Sequence, residues 1–223
     1  MAYRVRVWDL PTRVFHWLLV ACVAGLIATG YTGGAAMEWH ARLGYCVLTL
    51  LLFRIAWGFV GGRWTRFANF LYHPRSVLAY LRGQSHPDHL IGHNPLGAGS
   101  VYAMLLVLLA QVGTGLVADD EIAFTGPLNR FVSSARGLAA TWYHKEIGQR
   151  LLIALVLLHL AAIAYYAVKK KQNLVGPMIR GDKEVATPAT SSRDDAVSRV
   201  GAAVVLAVAA GIVTWVVRLG TAG

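Results

Sequence analysis

Long apolar runs separated by polar segments dominate the pattern of the chain. Runs with few charges lie at residues 14–32, 43–62, 99–117, 147–168 and 200–217. A helix of roughly 20 apolar residues crosses the hydrocarbon core of a bilayer, and every run is close to that length. The pattern therefore predicts an all-α integral membrane protein, in which a bundle of four transmembrane helices is followed by a fifth, C-terminal transmembrane helix.

A polar stretch between the last two runs divides the chain. GDKEVATPATSSRDD, residues 181–195, has few apolar residues and is predicted to be a polar cytoplasmic linker. It separates a four-helix membrane domain, residues 1–180, from a C-terminal helix, residues 196–223. That helix is rich in Gly and Ala, which favours close packing against another helix. It therefore either faces lipid or docks a partner subunit or a second copy of the chain.

Composition and charge support a membrane protein and predict its orientation. The chain is 56% hydrophobic and 14% charged, with a mean hydropathy of +0.50. Fourteen of the 21 Lys and Arg residues fall in segments 1–13, 63–98 and 169–199. Because cytoplasmic loops collect positive charge, the N-terminus is predicted to be cytoplasmic. The net charge of +10 then reflects topology and contact with anionic lipid rather than binding of nucleic acid.

Eight histidines fall into two sets according to predicted depth. One set lies in the predicted cytoplasmic loop, where HPDHLIGH has a spacing that a metal site could use. Proline and glycine interrupt this segment, so no regular frame aims the rings at one point, and a solvated loop is the favoured interpretation. The loop set is His73, His86, His89 and His93, and the membrane set is His16, His40, His144 and His159.

Two of the membrane histidines share a pattern. His40 and His144 each begin the sequence H-x-x-x-G just before a predicted span. Residue i+4 of a helix lies on the same face as residue i. Gly44 and Gly148 are therefore expected to clear space beside each imidazole for a flat, bulky group such as a macrocycle.

The four membrane histidines form two pairs of similar predicted depth. His159 follows His144 by fifteen residues on one predicted helix, which places it roughly 22 Å deeper and about 60° around the axis. His16 lies near the inner end of the first span, so His16 is paired with His159 and His40 with His144. Ionisable groups inside spans mark functional sites, and two imidazole pairs in a helix bundle suit two six-coordinate haems. The sequence contains no C-x-x-C-H motif, so the haems are predicted to be non-covalent.

Two arginines lie near the predicted inner haem. Arg54 either extends its side chain to the membrane interface or pairs with a haem propionate, and propionate pairing is the favoured interpretation. Arg13, close to His16, either belongs to the same pocket or anchors its helix at the interface. Gln111 and the GTG sequence at 113–115 are predicted to serve helix packing and hydrogen bonding.

Five motifs in this order resemble one known family. They are VWDLPTRVFHW, HARLGY, RIAWGFVG, HNPLGAG and HKEIGQRLLIALVLLHLAA. From residue 5 to about residue 180 the chain is similar to the bacterial cytochrome b561 and nickel-hydrogenase b-type cytochrome family. The resemblance implies a four-helix, di-haem b protein of the bacterial cytoplasmic membrane that passes electrons between a quinone pool and a second redox partner. Its axial haem ligands would be His16, His40, His144 and His159.

Three functions are compatible with these observations. The favoured one is a respiratory-chain cytochrome that links quinone or quinol to a periplasmic partner, such as a c-type cytochrome or a hydrogenase-like enzyme. The second is a stand-alone oxidoreductase such as a superoxide:quinone oxidoreductase, so it is left open whether the chain is itself an enzyme. The acidic segment 119–121 argues against attraction of an anion. The third is a haem-free transporter or scaffold with the histidines as a proton relay, which the lack of an evident sequence repeat disfavours.

Overall fold

The computed structural model describes residues 2–84, 86–122 and 124–221. Within these residues, five helices are long and apolar enough to cross a membrane. This finding confirms the predicted all-α architecture with five spans, and the chain is a multi-pass membrane protein. In chain order the regular elements are β1 (Tyr3–Arg6), α1 (Leu10–Thr32), α2 (Ala36–Val60), α3 (Pro74–Leu81), α4 (Pro95–Val117), α5 (Ser134–Trp142), a π-helical segment (Tyr143–Gly148), α6 (Gln149–Val168), α7 (Val175–Arg180), β2 (Asp182–Val185) and α8 (Ala196–Thr221).

Every spanning helix begins before the apolar run that predicts it. The difference is largest for the fourth span, which is predicted from residue 147 but forms one continuous helix over Ser134–Val168. Hydropathy detects only the stretch that can contact lipid, whereas helical hydrogen bonding continues through flanking residues of good helix propensity such as Ala and Arg. His40 and His144 consequently lie inside helical segments rather than ahead of them.

The chain divides into two compact units. The first unit comprises Met1–His16, Arg54–Ala103 and Leu157–Val205, and the second comprises Trp17–Phe53, Met104–Val156 and Leu206–Gly223. His16 and His159 therefore both belong to the first unit, and His40 and His144 both belong to the second.

A two-stranded antiparallel sheet in the first unit joins the N-terminus to the segment after α7. Tyr3 is opposite Val185 and Arg6 is opposite Asp182, and Arg6 also donates to Asp194 at 2.7 Å. Segment 181–195, predicted to be a polar linker, is thus folded against the N-terminal strand. The sequence pattern missed this because both the strand pairing and the ion pairs join residues far apart in the chain. As a boundary between domains, the segment stays a prediction.

Asp9 fixes the beginning of α1 in the first unit. The Asp9 carboxylate is fully buried and accepts a hydrogen bond from the backbone N–H of Thr12 at 2.8 Å, which caps the helix. It also accepts from the Trp57 indole N–H at 3.2 Å and from the Gly62 backbone N–H at 3.0 Å. A buried donor left without an acceptor costs about 1–3 kcal/mol. The carboxylate therefore stabilises the first turns of α1, on which His16 lies.

Helices α1, α2, α4 and α6 contribute to one apolar core in the second unit. Its fully packed members are Val23, Val47, Leu51, Leu108 and Leu152. The end of α8 contacts the segment before α5, because Arg130 donates to the Leu219 carbonyl oxygen at 3.3 Å. The core fixes the helices that carry His40 and His144.

Candidate functional site

His40 of α2 and His144 of the π-helical segment lie together in the second unit. Their ring centroids are 6.0 Å apart and the ring planes are inclined by 72°. Both side chains are half-buried. An imidazole nitrogen binds a metal at about 2.0–2.1 Å, so two rings on opposite sides of one metal ion have centroids roughly 6 Å apart. The observed separation fits such an arrangement.

The same type of hydrogen bond orients both imidazoles. His40 Nδ1 donates to the Leu26 carbonyl oxygen at 3.1 Å, and His144 Nδ1 donates to the Gln111 carbonyl oxygen at 2.9 Å. A carbonyl oxygen can only accept, so each neutral ring carries its proton on Nδ1 and has its lone pair on Nε2. Hydrogen bonds of this kind fix the orientation of a metal-binding histidine and raise its basicity. Both rings are therefore prepared to bind a metal through Nε2.

A threonine supports each of these hydrogen bonds. Thr29 Oγ1 lies 3.2 Å from His40 Nδ1, and Thr114 Oγ1 lies 3.3 Å from His144 Nδ1. Each hydroxyl donates its own proton to the carbonyl oxygen one turn earlier in its helix, at 2.7 Å in both cases. The hydroxyl oxygen is then oriented to accept from Nδ1, which makes the imidazole proton shared between a carbonyl and a hydroxyl.

A glycine follows each threonine and allows close approach of the imidazole. A Cβ atom on Gly30 would lie 3.3 Å from His40 Cε1, and one on Gly115 would lie 3.4 Å from His144 Cε1. The sequences LIATG, residues 26–30, and QVGTG, residues 111–115, thus form equivalent surroundings for the two rings. The sequence analysis missed this role, although a Thr-Gly pair in the helix preceding each H-x-x-x-G motif is a signal that could have found it.

The glycines of the two H-x-x-x-G motifs differ in their surroundings. Among the residues that the structure describes, none lies within 4 Å of the position of a Gly44 Cβ, so space is open there. At Gly148 the structure differs from the expected cleared space, because Gln111 Oε1 lies 1.9 Å from the position of a Cβ. Gln111 fills this space and donates through Nε2 to the His144 carbonyl oxygen at 3.2 Å. Gly148 therefore admits a side chain of α4 rather than leaving a gap.

A π-helical turn carries His144. The segment Tyr143–Gly148 interrupts the helix between α5 and α6, and the Gln149 N–H bonds to the carbonyl oxygen of His144. Such turns are uncommon and occur frequently at functional sites, because the extra residue per turn changes the direction of a side chain. The sequence pattern gives no sign of this turn.

His16 of α1 and His159 of α6 lie together in the first unit. They are close enough to interact electrostatically, and both side chains are half-buried. Arg13, three residues before His16, donates to the Ile179 carbonyl oxygen at 2.7 Å and lies 3.9 Å from Asp194. These contacts tie the start of α1 to α7 and to the segment that follows it.

Comparison with known proteins identifies the family. The family model for prokaryotic cytochrome b561 matches residues 7–181. The chain belongs to the prokaryotic cytochrome b561 family. The predicted resemblance is thereby confirmed, and membership implies b-type haem and electron transfer in a membrane.

Similar proteins include three b-type cytochromes. The probable Ni/Fe-hydrogenase 1 B-type cytochrome subunit of Escherichia coli (strain K12) is 28% identical over 141 residues, which cover 52% of this cytochrome and 60% of the relative. The probable Ni/Fe-hydrogenase B-type cytochrome subunit of Azotobacter chroococcum mcd 1 is 25% identical over 213 residues, covering 79% and 87%. The subunit of the same description from Rhodobacter capsulatus is 24% identical, covering 80% and 81%. The match thus spans less than two thirds of the E. coli protein and most of the other two. No solved structure matches this cytochrome.

Arg54 of this cytochrome is a buried cation in the first unit. Arg54 is only 4% exposed, so its side chain does not extend to solvent. The guanidinium lies over the Phe67 ring, with Cζ 4.6 Å from the centroid, and Nη2 donates to the Thr65 carbonyl oxygen at 3.2 Å. Stacking of this kind partly compensates for the loss of water around a cation.

His93 departs from the predicted solvated loop. Its ring packs between Trp8, at a centroid distance of 4.8 Å, and Phe70, at 4.5 Å. Burial and, to a smaller extent, the positive charge of Arg54 lower the pKa of His93 to about 3. The loop pattern did not reveal this because both aromatic partners are distant in sequence.

The other loop histidines cap short helices. His73 accepts from the Arg75 backbone N–H and begins α3. His86 Nδ1 accepts from the Asp88 N–H, and His89 Nδ1 accepts from the His86 N–H, so the two residues cap the turn Pro87–Leu90. Their Nδ1 atoms are hydrogen-bonded within the loop, which agrees with a loop rather than a metal site.

Proposed function

We propose that this cytochrome holds two non-covalent b haems, one between His40 and His144 and one between His16 and His159. The observation that carries the proposal is the geometry of His40 and His144. Their centroids are 6.0 Å apart, and a backbone carbonyl accepts from Nδ1 of each ring. Each ring is therefore able to supply one axial ligand to a haem iron through Nε2.

The surroundings of this pair suit a flat ligand. Within the described part of the chain, space is open beside Gly44, one turn from His40. When bound, the haem supplies a one-electron redox couple. The chain contributes the orientation of both imidazoles through Thr29 and Thr114, and the carbonyl hydrogen bonds make Nε2 a stronger donor, which stabilises ferric over ferrous iron.

The proposal for His16 and His159 rests on their electrostatic interaction in the first unit and on the buried arginine of that unit. The Asp9 cap fixes the turn of α1 that carries His16. Arg54, buried among aromatic rings, supplies a positive charge for a haem propionate. Both histidine side chains are half-buried.

The proposed cytochrome lies in the bacterial cytoplasmic membrane with its N-terminus inside, as the distribution of Lys and Arg favours. With haems held at both histidine pairs, the chain would transfer electrons between quinone or quinol of the respiratory chain and a periplasmic redox partner. Relatives that are named as Ni/Fe-hydrogenase subunits support a hydrogenase-like enzyme as this partner, with a c-type cytochrome as the alternative. Helix α8 exposes Val200, Val204 and Val208 along one face, which supports docking of that subunit or of a second copy.

Reoxidation by quinone tests the proposed electron transfer. The purified cytochrome is reduced with dithionite, excess reductant is removed without air, and a short-chain ubiquinone or menaquinone analogue is added. We expect haem reoxidation whose rate saturates with quinone concentration, because transfer occurs from a bound quinone. A redox-inactive quinone analogue should compete. Slow reoxidation without saturation or competition would contradict a quinone function while leaving haem binding intact.

A further inference from the structure

Several buried nitrogen atoms of the first unit lack a hydrogen-bond partner in the described structure, and two of them belong to residues beside the same aromatic ring. They are Nη1 of Arg54 and Nδ1 of His93. Arg54 is only 4% exposed, and its hydrogen bond to the Thr65 carbonyl oxygen uses the other terminal nitrogen, Nη2. An unsatisfied buried donor is costly, and a charged one is more costly still. Arg54 Nη1 therefore indicates a missing acceptor, and the neutral His93 ring can donate to the same acceptor in the tautomer that carries its proton on Nδ1.

The two donors lie on the same aromatic ring. Arg54 Cζ is 5.9 Å from the centroid of Phe70, and the His93 ring centroid is 4.5 Å from it. The charge of Arg54 also acts directly on His93. Phe67 and Trp8 complete the aromatic surroundings. Arg54 and His93 therefore border the same ring in largely apolar surroundings.

Charge and geometry favour a carboxylate as this acceptor. Among the described residues, the carboxylate that acts on Arg54 is that of Asp9, which already accepts from the N–H groups of Thr12, Trp57 and Gly62. The Tyr102 hydroxyl, also near Arg54, donates to the Phe67 carbonyl oxygen at 3.3 Å. A guanidinium N–H together with an imidazole N–H matches the two oxygens of a carboxylate, and such charge-assisted bonds are the strong ones.

We propose that Arg54 and His93 together bind one propionate carboxylate of the haem held by His16 and His159, an inference that rests on the proposed function. His93 donates from Nδ1 and Arg54 from Nη1 to the same group. His93 is thus a haem-binding residue, although it lies outside the four-histidine set. Two donors on one propionate neutralise its charge, which stabilises the ferrous form of that haem.

The test compares redox potentials in variants of the whole, haem-loaded cytochrome. Arg54→Met and His93→Phe remove one donor each and replace it with an apolar side chain of similar size. In each variant we expect the equilibrium of the first-unit haem to shift about tenfold toward the ferric form, which is 59 mV for one electron. Because both donors serve one carboxylate, the double variant should shift by less than the sum of the single shifts. The haem of the second unit is the internal reference and should not move.

Matched controls and a modified haem separate the possible outcomes. Arg63→Met and His73→Phe remove an exposed arginine and an exposed histidine of the same unit and should leave both potentials unchanged. Haem dimethyl ester has no propionate charge. In protein loaded with this haem, Arg54→Met and His93→Phe should no longer shift the potential of the first-unit haem relative to the wild-type chain.

Two results would overturn this inference. One is a first-unit haem that is retained in Arg54→Met and His93→Phe with the potential of the control variants. The other is a shift in these variants that persists with haem dimethyl ester, since the carboxylate would then come from another source such as a lipid. Absence of haem from the wild-type chain would instead refute the proposed function, so the two failures are distinguishable.

Discussion

Replacing His144 with alanine is expected to lower the haem content of the purified cytochrome from two per chain to one. The rings of His40 and His144 are 6.0 Å apart between centroids. The substitution removes one of these two proposed haem ligands and leaves only His40. A cofactor present at 1,000 times its Kd stabilises the folded chain by about 4 kcal/mol, so the thermal midpoint should also fall. The measurement is haem per chain by the pyridine haemochrome method, together with thermal unfolding in detergent.

The matched control for this variant is Thr114→Val. It removes the hydroxyl 3.3 Å from His144 Nδ1 but leaves the Gln111 carbonyl that accepts from the same nitrogen. We expect this control to keep both haems with a small change in one midpoint potential. His144→Ala protein that retains two low-spin haems would show that His144 is not an axial ligand.

Replacing His159 with alanine is expected to remove the other haem. His159 belongs to the first unit with His16, whereas His144 belongs to the second, so the two variants should lose different haems. The reduced-minus-oxidised spectra of the two variants should therefore add up to the wild-type spectrum. His16→Ala should give the same spectrum as His159→Ala, because both remove a ligand of one haem.

The pairing itself can fail in a recognisable way. If the spectrum of His16→Ala matched that of His144→Ala, the ligands would be correct but the pairs would be wrong. If His159→Ala kept both haems while remaining folded, the ligand assignment of the first unit would be contradicted. His73→Ala, in a histidine that caps α3, is the control that should retain both haems.

Much of the fold follows from the sequence because the bilayer constrains it. Apolar runs of spanning length predict the five helices that the structure contains, since a lipid-exposed backbone must satisfy its own hydrogen bonds. Predicted depth in the membrane pairs His40 with His144, and the structure places the centroids of their rings 6.0 Å apart. These inferences depend on local hydropathy and on helix periodicity, both of which a single sequence displays.

The features that the sequence did not predict depend on contacts between distant residues. Pairing of β1 with β2 joins the first residues of the chain to residues 182–185, which are far away in sequence. The hydrogen bond from His144 to Gln111 and the packing of Gln111 on Gly148 require the register of α4 against the π-helical turn. His93 looked like a solvated loop residue because Trp8 and Phe70, which enclose it, are far away in the chain. In each case local pattern carries no information about the partner.

The number of haems bound by the wild-type protein decides whether each of the two histidine pairs binds a haem. The full chain is purified in detergent, haem is quantified as the pyridine haemochrome against protein mass, and a reduced-minus-oxidised spectrum is taken from the same sample. We expect two non-covalent b haems per chain, both low-spin, because each iron would be bound by two imidazoles. A single haem, or none, in protein that is otherwise folded would contradict the assignment of two histidine pairs as haem ligands.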